Sequence, residues 1–566
     1  MQANTNVSID TTPIGALTAE FVQRYWKFSP SSATYAGVAG FDHLLDEYAY
    51  QSPEYIAYLQ EFVDRIVTTP LYSDAERIAA TVFEYELRGE IEDSRYGYDH
   101  RAWGVIVSPA ATIKELFDVM ESDTAEQRSA IRSRIAQIPR ALRQWREEIT
   151  AAATDGHVNS RHATLETITQ FRQFAQSAIY AGIIASLPED GTEPGIDLTV
   201  VGALADEAHA VTATFLEKEY LPRTRDNLGV GREAYAQLAK GYTGCSIDLD
   251  AAHRSASLEI REIAEEMRQL ATSIYPDAAS VADALERLDS DPRHLITSHE
   301  ELIAKITTLV DDATLALVDQ FTVPEAIRVC EVRLDDDAMD AAPSYMGPSD
   351  DLVRPGAIIY PTMGATAWPL WRQVSTIYHE GVPGHHLQVA TSTLQRDSLT
   401  QYQRMLSWNA GYGEGWALYA ERLMDELGFF NEPAYRLGHL MDRAMRVARV
   451  VIDIGLHLGL PDPSGRPWTY DSAVNWFQSM TLLPRDYVES EINRYIAWPG
   501  QAISYKVGEQ RWLDARAKAL AAGISLPEFH KTMLEAGSMP LEVFVSYVDG
   551  YIERSKASKR AVPHVV

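Results

Sequence analysis

The chain has 566 residues, 46% of them apolar, which is enough for one large core or two ordinary domains. Its 50 Lys plus Arg stand against 80 Asp plus Glu, a net charge of −30, so nucleic acid and anionic membrane surfaces are not expected as partners. The two cysteines, Cys245 and Cys330, lie far apart and fit free thiols of a reducing compartment rather than a disulfide framework. The first ten residues have no basic and apolar leader pattern, and no stretch approaches the roughly 20 apolar residues of a membrane span, so a cytoplasmic setting is expected.

Helical periodicity dominates from the start of the chain. Ile131, Ile135, Ile138, Leu142, Trp145 and Ile149 recur at steps of four and three, one stripe of an amphipathic helix. Ile260, Ile263, Met267, Leu270 and Ile274 repeat the pattern. Turn-forming clusters at 10–15, 187–195 and 275–277 mark helix ends and loops. Strand candidates are few and short: Ala326 to Leu334, and Ala357 to Tyr360 within an Arg354–Tyr360 segment that reads either as an edge strand for an extended peptide or as an internal strand. The expected fold is mainly α, a large helical body with a deep cleft and a small β-sheet beside the chemistry. A soft boundary divides an N-terminal helical region, 1–320, from a C-terminal catalytic region, 321–566, and both pack as one body. Residues 555–563 read as a frayed tail.

The chemistry concentrates at His379-Glu380-Gly381-Val382-Pro383-Gly384-His385-His386, straight after the apolar run from Trp371 to Tyr378. A His-Glu-x-x-His helix sets two imidazoles one turn apart on one zinc, with the Glu as general base. Here position 383 is Pro, and the next imidazoles come six and seven residues after His379. Pro removes an N–H and Gly relaxes the backbone, so the helix is expected to bulge or kink between Glu380 and His385. Such a kink would swing His385 onto the face of His379, whereas an unbroken helix would favour His386. Pro and Gly cost a helix about 1–3 kcal/mol, a loss that metal binding would offset.

A catalytic zinc needs a third ligand, and Gly411-Tyr-Gly-Glu414-Gly-Trp-Ala-Leu-Tyr-Ala-Glu421 supplies two carboxylates on one helix face beside Trp416 and Tyr419. Glu414 is the ligand candidate and Glu421 its supporting carboxylate. Arg449, Asp453 and His457 follow at successive steps of four, either a buried network tying helices together or a group that orients Glu414 or binds substrate.

His-Glu-x-x-Pro-Gly-His, then Glu-Gly-Trp-Ala-Leu-Tyr-Ala-Glu, then Pro-Gly-Gln501-Ala-Ile-Ser-Tyr505-Lys506 resembles the bacterial DUF885 family, whose fold is similar to that of the M32 metallocarboxypeptidases of the gluzincin type. The motifs cover roughly residues 300 to 545, the N-terminal half matching only in helical character. The resemblance implies zinc ligands His379, His385 and Glu414, with Glu380 as base and Tyr505 as donor to the oxyanion. It favours His385 over His386 through the Gly-His step. In M32-like enzymes three residues separate the two histidines; here there are five. Arg494 or Lys506 would hold a substrate carboxylate, with Gln501 and His386 among the supporting groups. The expected activity is zinc-dependent cleavage of amide bonds in short peptides. A zinc amidohydrolase acting on amino acid conjugates and an inert helical binding protein are the rival readings, and a homodimer stays open.

Overall fold

The apolar stripes at helical spacing become the buried faces of long helices in the computed structural model, which describes residues 8–48, 53–97, 100–188, 198–321, 323–336 and 342–561. Helix Ala125–Thr154 starts at a capping box between Thr124 and Gln127 and buries the Ile131-to-Ile149 stripe. That stripe packs against helices Arg161–Ser177 and Leu198–Phe215 in one apolar cluster. Helix Leu249–Ile274, capped by Asp248, buries Ile260, Ile263 and Met267 along helix Pro433–Leu458, with Leu270 and Ile274 at the margin. Pro433–Leu458 is buried on nearly every side, as its many apolar residues and few exposed charges require.

The apolar clusters ignore residue 320. Val82, Leu302 and Ile306 share one with Ile377, Trp416 and Trp512, and Tyr235 and Ile260 share another with Leu440 and Ile492. Of the expected punctuation, 10–15 holds a short helical turn and the Thr12 cap of helix Pro13–Tyr25. Most of 187–195 lies outside the described residues. The expected frayed tail is instead the end of helix Leu541–Ala561, with 562–563 outside the described residues.

A three-stranded sheet sits before the His-Glu stretch. Strand Gly356–Pro361 is central, parallel to Cys330–Asp335 and antiparallel to Ser344–Met346. The edge-strand reading of Arg354–Tyr360 is therefore wrong: both of its sides are hydrogen-bonded, and the free edges belong to its neighbours. Residues 325–327 form a 3₁₀ turn rather than the start of a strand, which begins only at Cys330.

Helix Pro433–Leu458 is tied in by a buried polar network. Tyr235 Oη donates to Asp453 Oδ2 at 2.7 Å, and the Gly500 N–H donates to the same oxygen at 2.9 Å. Val230 N–H donates to His457 Nδ1 at 3.2 Å, so His457 Nε2–H donates to the Tyr495 carbonyl at 2.9 Å. Burial pushes His457 down to about 4 and Asp453 up to about 7, the latter against the two hydrogen bonds that favour its charge. Folded Asp453 keeps its proton to about pH 7, whereas the unfolded chain releases it near pH ~3.9. Its contribution to stability is therefore full below the unfolded value and lost as pH rises through about 7. Asp453→Asn is expected to reduce the fall in thermal midpoint between pH 4 and pH 8 by the equivalent of roughly 4 kcal/mol. Parallel melting curves of the two proteins across that range would refute this assignment.

Candidate metal centre

The His-Glu stretch is two helices, not one kinked helix. Val374–Glu380 ends in a turn in which Gly381 N–H donates to the Ile377 carbonyl at 2.8 Å. The chain then folds back so that Gly384 N–H donates to the Tyr378 carbonyl at 3.1 Å, and a new helix runs His385–Leu394. A Cβ on residue 384 would lie 1.9 Å from the His379 carbonyl oxygen, so only glycine fits. Trp416 Nε1–H donates to the buried carbonyls of Pro383, at 2.9 Å, and Gly384, at 3.2 Å, the latter also accepting from Gln388 N–H at 3.2 Å. His379 thus stands in the last turn of one helix, His385 opens the next, and their rings meet edge to face at 4.7 Å.

Trp416 belongs to helix Ala410–Glu426, the helix that carries Glu414. That helix crosses Ser504–Ala521 through its glycines: a Cβ on Gly415 would stand 2.5 Å from Gly508 Cα, and one on Gly508 would stand 1.9 Å from the Gly411 carbonyl. Gly411, in the first turn of its helix, and Gly415 seat this crossing against Gly508. It brings Glu414 and Tyr505 to the same place.

Glu414 Oε2 lies 3.2 Å from His379 Nε2 and 3.3 Å from His385 Nε2. Among the described residues, His379, His385 and Glu414 form a potential metal-holding group, their ligand atoms all within 4.8 Å of one another. Zinc ligands at about 2.0–2.1 Å in a tetrahedron stand about 3.3 Å apart, so the two measured distances fit a zinc-sized cation. Glu421 Oε1 accepts from His379 Nδ1 at 2.7 Å, which leaves Nε2 facing the centre. Ser375 Oγ in turn donates to Glu421 Oε2 at 2.5 Å and lies 2.9 Å from His439 Nδ1.

Burial works against charge on these groups, yet their mutual contacts overcome it at His379, Glu414 and Glu421. His379 is carried up to about 10 despite burial, by hydrogen bonds to Glu414 and Glu421. Glu414 is held well below the usual carboxylate range, burial being outweighed by the charge of His385 and the His379 hydrogen bond. Glu380 goes the other way: burial raises it, and the two imidazoles offset only part of the rise. Its Oε1 is 4.0 Å from His379 Nε2.

His386 faces away from the centre, with Nε2 2.8 Å from the Ile327 carbonyl and Nδ1 3.0 Å from Tyr345 Oη. Tyr505 lies beside it all, its ring nearly parallel to that of His379 with centroids 6.1 Å apart. Arg449 stands over the Tyr505 ring at 4.7 Å and pairs with Glu491, while Asp453 and His457 belong to the packing network described above. Arg494 bonds Glu491 and Gln501. Lys506 is paired with Glu259 and Glu509 and lines neither cavity at the centre.

Two cavities meet here, of ≈ 1260 and ≈ 680 Å³, with Trp408, Glu414, Arg494 and Tyr505 in the walls of both. Four groups at the centre escaped the sequence reading. Trp408, half-exposed, sits 5.7 Å from the His385 ring. Arg446, one turn before Arg449, stands over Tyr505 at 5.1 Å. Ser375, one turn before His379, carried a positional signal; His439, sixty residues on, carried none.

A family model described as a bacterial protein of unknown function, DUF885, matches residues 30–548. A solved structure titled a putative lipoprotein from Colwellia psychrerythraea is similar with a TM-score of 0.80 at 23% identity, over 96% of this chain and 99% of that one. Another, titled a putative lipoprotein of unknown function from Shewanella oneidensis, gives 0.67 at 17% identity over 94% and 99%. At these identities the likeness is one of fold. No curated protein matches the chain. Among the described residues, no helix is long and apolar enough to cross a membrane.

The geometry separates the two adjacent histidines. His385→Ala is expected to abolish zinc uptake, and His386→Ala to keep one zinc per chain, measured by metal analysis after dialysis. The reverse pattern would refute the ligand set.

Proposed function

The chain belongs to the DUF885 family, and we propose that it is a zinc-dependent hydrolase that cleaves amide bonds of short peptides. The observation that carries this reading is the His379–His385–Glu414 cluster, with Glu414 at tetrahedral spacing from both imidazoles and with Glu380 and Tyr505 beside it where two cavities join. Two imidazoles, one carboxylate and an open side are the donor set of catalytic rather than structural zinc. The likeness to M32 metallocarboxypeptidases, drawn from the motifs, is part of the same proposal.

A zinc ion held by these three residues would supply Lewis acidity to a scissile carbonyl and to water. Glu380 takes the proton of the attacking water and delivers it to the leaving amine. Its buried carboxyl, raised above the usual range, suits a group that must both accept and return a proton. Tyr505 Oη donates to the oxyanion as the carbonyl becomes tetrahedral. Glu421, anchored by Ser375, keeps His379 in one tautomer and one orientation. Cavities enclosed by helices suit short, flexible chains better than folded proteins. A cytoplasmic setting is supported by the free thiols of Cys245 and Cys330, against the titles of the two lipoprotein neighbours; fractionation of the producing cell measures it.

Glu380→Gln is expected to retain one zinc per chain and lose at least about 100-fold in turnover of short peptides. Tyr505→Phe is expected to lower kcat by about 10²–10³, as removal of an oxyanion donor does elsewhere. A Glu380→Gln protein with bound zinc and full turnover would overturn the mechanism.

A further inference from the structure

Buried N–H groups without an acceptor are rare, because each costs its desolvation outright. In the wall of the smaller cavity, the guanidinium groups of Arg446 and Arg449 carry one each. Arg446 is 7% exposed; its Nε has no partner, and its hydrogen bonding amounts to one contact, from Nη1 to Met445 Sδ at 3.6 Å. Among the described residues, no carboxylate oxygen comes within 4.0 Å of its guanidinium; Glu380, Glu421 and Asp442 feel its charge at longer range. Arg449 is 1% exposed and spends Nε and Nη2 on Glu491 Oε2, at 2.9 and 2.7 Å, leaving Nη1 unpartnered. Both guanidinium groups stand over the ring of Tyr505. A carboxylate reaching these groups from the cavity would match the guanidinium fork.

We propose that Arg446, with Arg449 beside it, binds the C-terminal carboxylate of the substrate, so that bonds are cut from the C-terminal end. The opposite orientation is disfavoured by the larger cavity. Its walls carry Asp46, Glu47, Glu54, Glu86, Glu90, Asp93 and Glu414 against Arg24, Lys27 and Arg494, an excess of acid that repels a carboxylate and receives an ammonium group. The ≈ 680 Å³ of the smaller cavity suits a drug-sized group, about one or two residues, and Val389, Met441, Met445 and Leu483 in its walls favour apolar side chains there. The direction of cutting rests on the hydrolase reading; the carboxylate site does not.

Binding therefore makes the test. The probes are the tripeptide Ala-Ala-Phe and its C-terminal amide, titrated calorimetrically into the zinc-loaded full chain and into Arg446→Gln and Arg446→Lys. The native protein is expected to bind the acid at least about tenfold more tightly than the amide. That ratio should fall to near one in Arg446→Gln and lie between in Arg446→Lys, which keeps the charge but not the fork. Thermal melts establish that the variants fold, and the acid-to-amide ratio of the native protein needs no variant at all. Equal binding of acid and amide by the native protein, or binding of neither at millimolar concentration, overturns the proposal. If the acid binds more tightly and neither peptide is cut, the carboxylate site stands and the hydrolase reading falls.

Discussion

One indole N–H governs the centre of this molecule. Trp416 donates to the carbonyls of Pro383 and Gly384, where the chain turns between Glu380 and His385. Its helix also supplies Glu414, so the hydrogen bond that stabilises the break fixes the third corner of the cluster relative to the other two. Gly384 seats the break against the His379 carbonyl, and Gly415 and Gly508 seat the same helix against the one carrying Tyr505. His379, His385, Glu414 and Tyr505 are positioned by close backbone contacts, which is what a preorganised site requires. Trp416 is fully buried against Trp512 and Tyr419, so its indole is held by packing as well as by its acceptors.

Electrostatics follow from that packing. Two buried carboxylates, Glu380 and Glu421, and the partly buried Glu414 crowd around two imidazoles, and buried charge is tolerated only when it is paired. Glu421 is satisfied by His379 and Ser375, Glu414 by both imidazoles, and Glu380 resolves its position by a raised proton affinity. Neighbouring carboxylates are thereby driven apart in proton affinity, the condition under which one serves as ligand and another as base. The division between an acidic cavity and an arginine-lined one extends the same asymmetry outward along the path of a bound chain.

Much of the fold was legible in the residues. The Ile131 and Ile260 stripes announce helices because a period near 3.6 has no other stable use in a long segment. The strands were seen only in part. Ala357–Tyr360 was found but left open between an edge and an internal position, because hydrogen-bond partners on either side leave no trace in so short an apolar run. Residues 344–346 were missed altogether, being too short and too polar to show alternation. At the centre, His379, Glu380 and Glu414 stood out by spacing, and Glu421 by its place two turns after Glu414. Arg446 did not, since an arginine on a long helix is ordinarily solvated, and only the surrounding walls reveal one that is buried.

Local chain chemistry by itself determined that the fold is helical, that the helix after Tyr378 must be interrupted, and that carboxylates and imidazoles gather near the interruption. Pro383 lacks an N–H and glycine lacks a side chain wherever they occur, so those consequences need no partner. Tertiary structure alone decided that His385 turns inward and His386 toward the sheet, that Asp453 and His457 serve packing, and that Lys506 is occupied by Glu259 and Glu509. Adjacent residues on a helix point about 100° apart, and which of them meets Glu414 depends on a helix that begins 25 residues further along the chain.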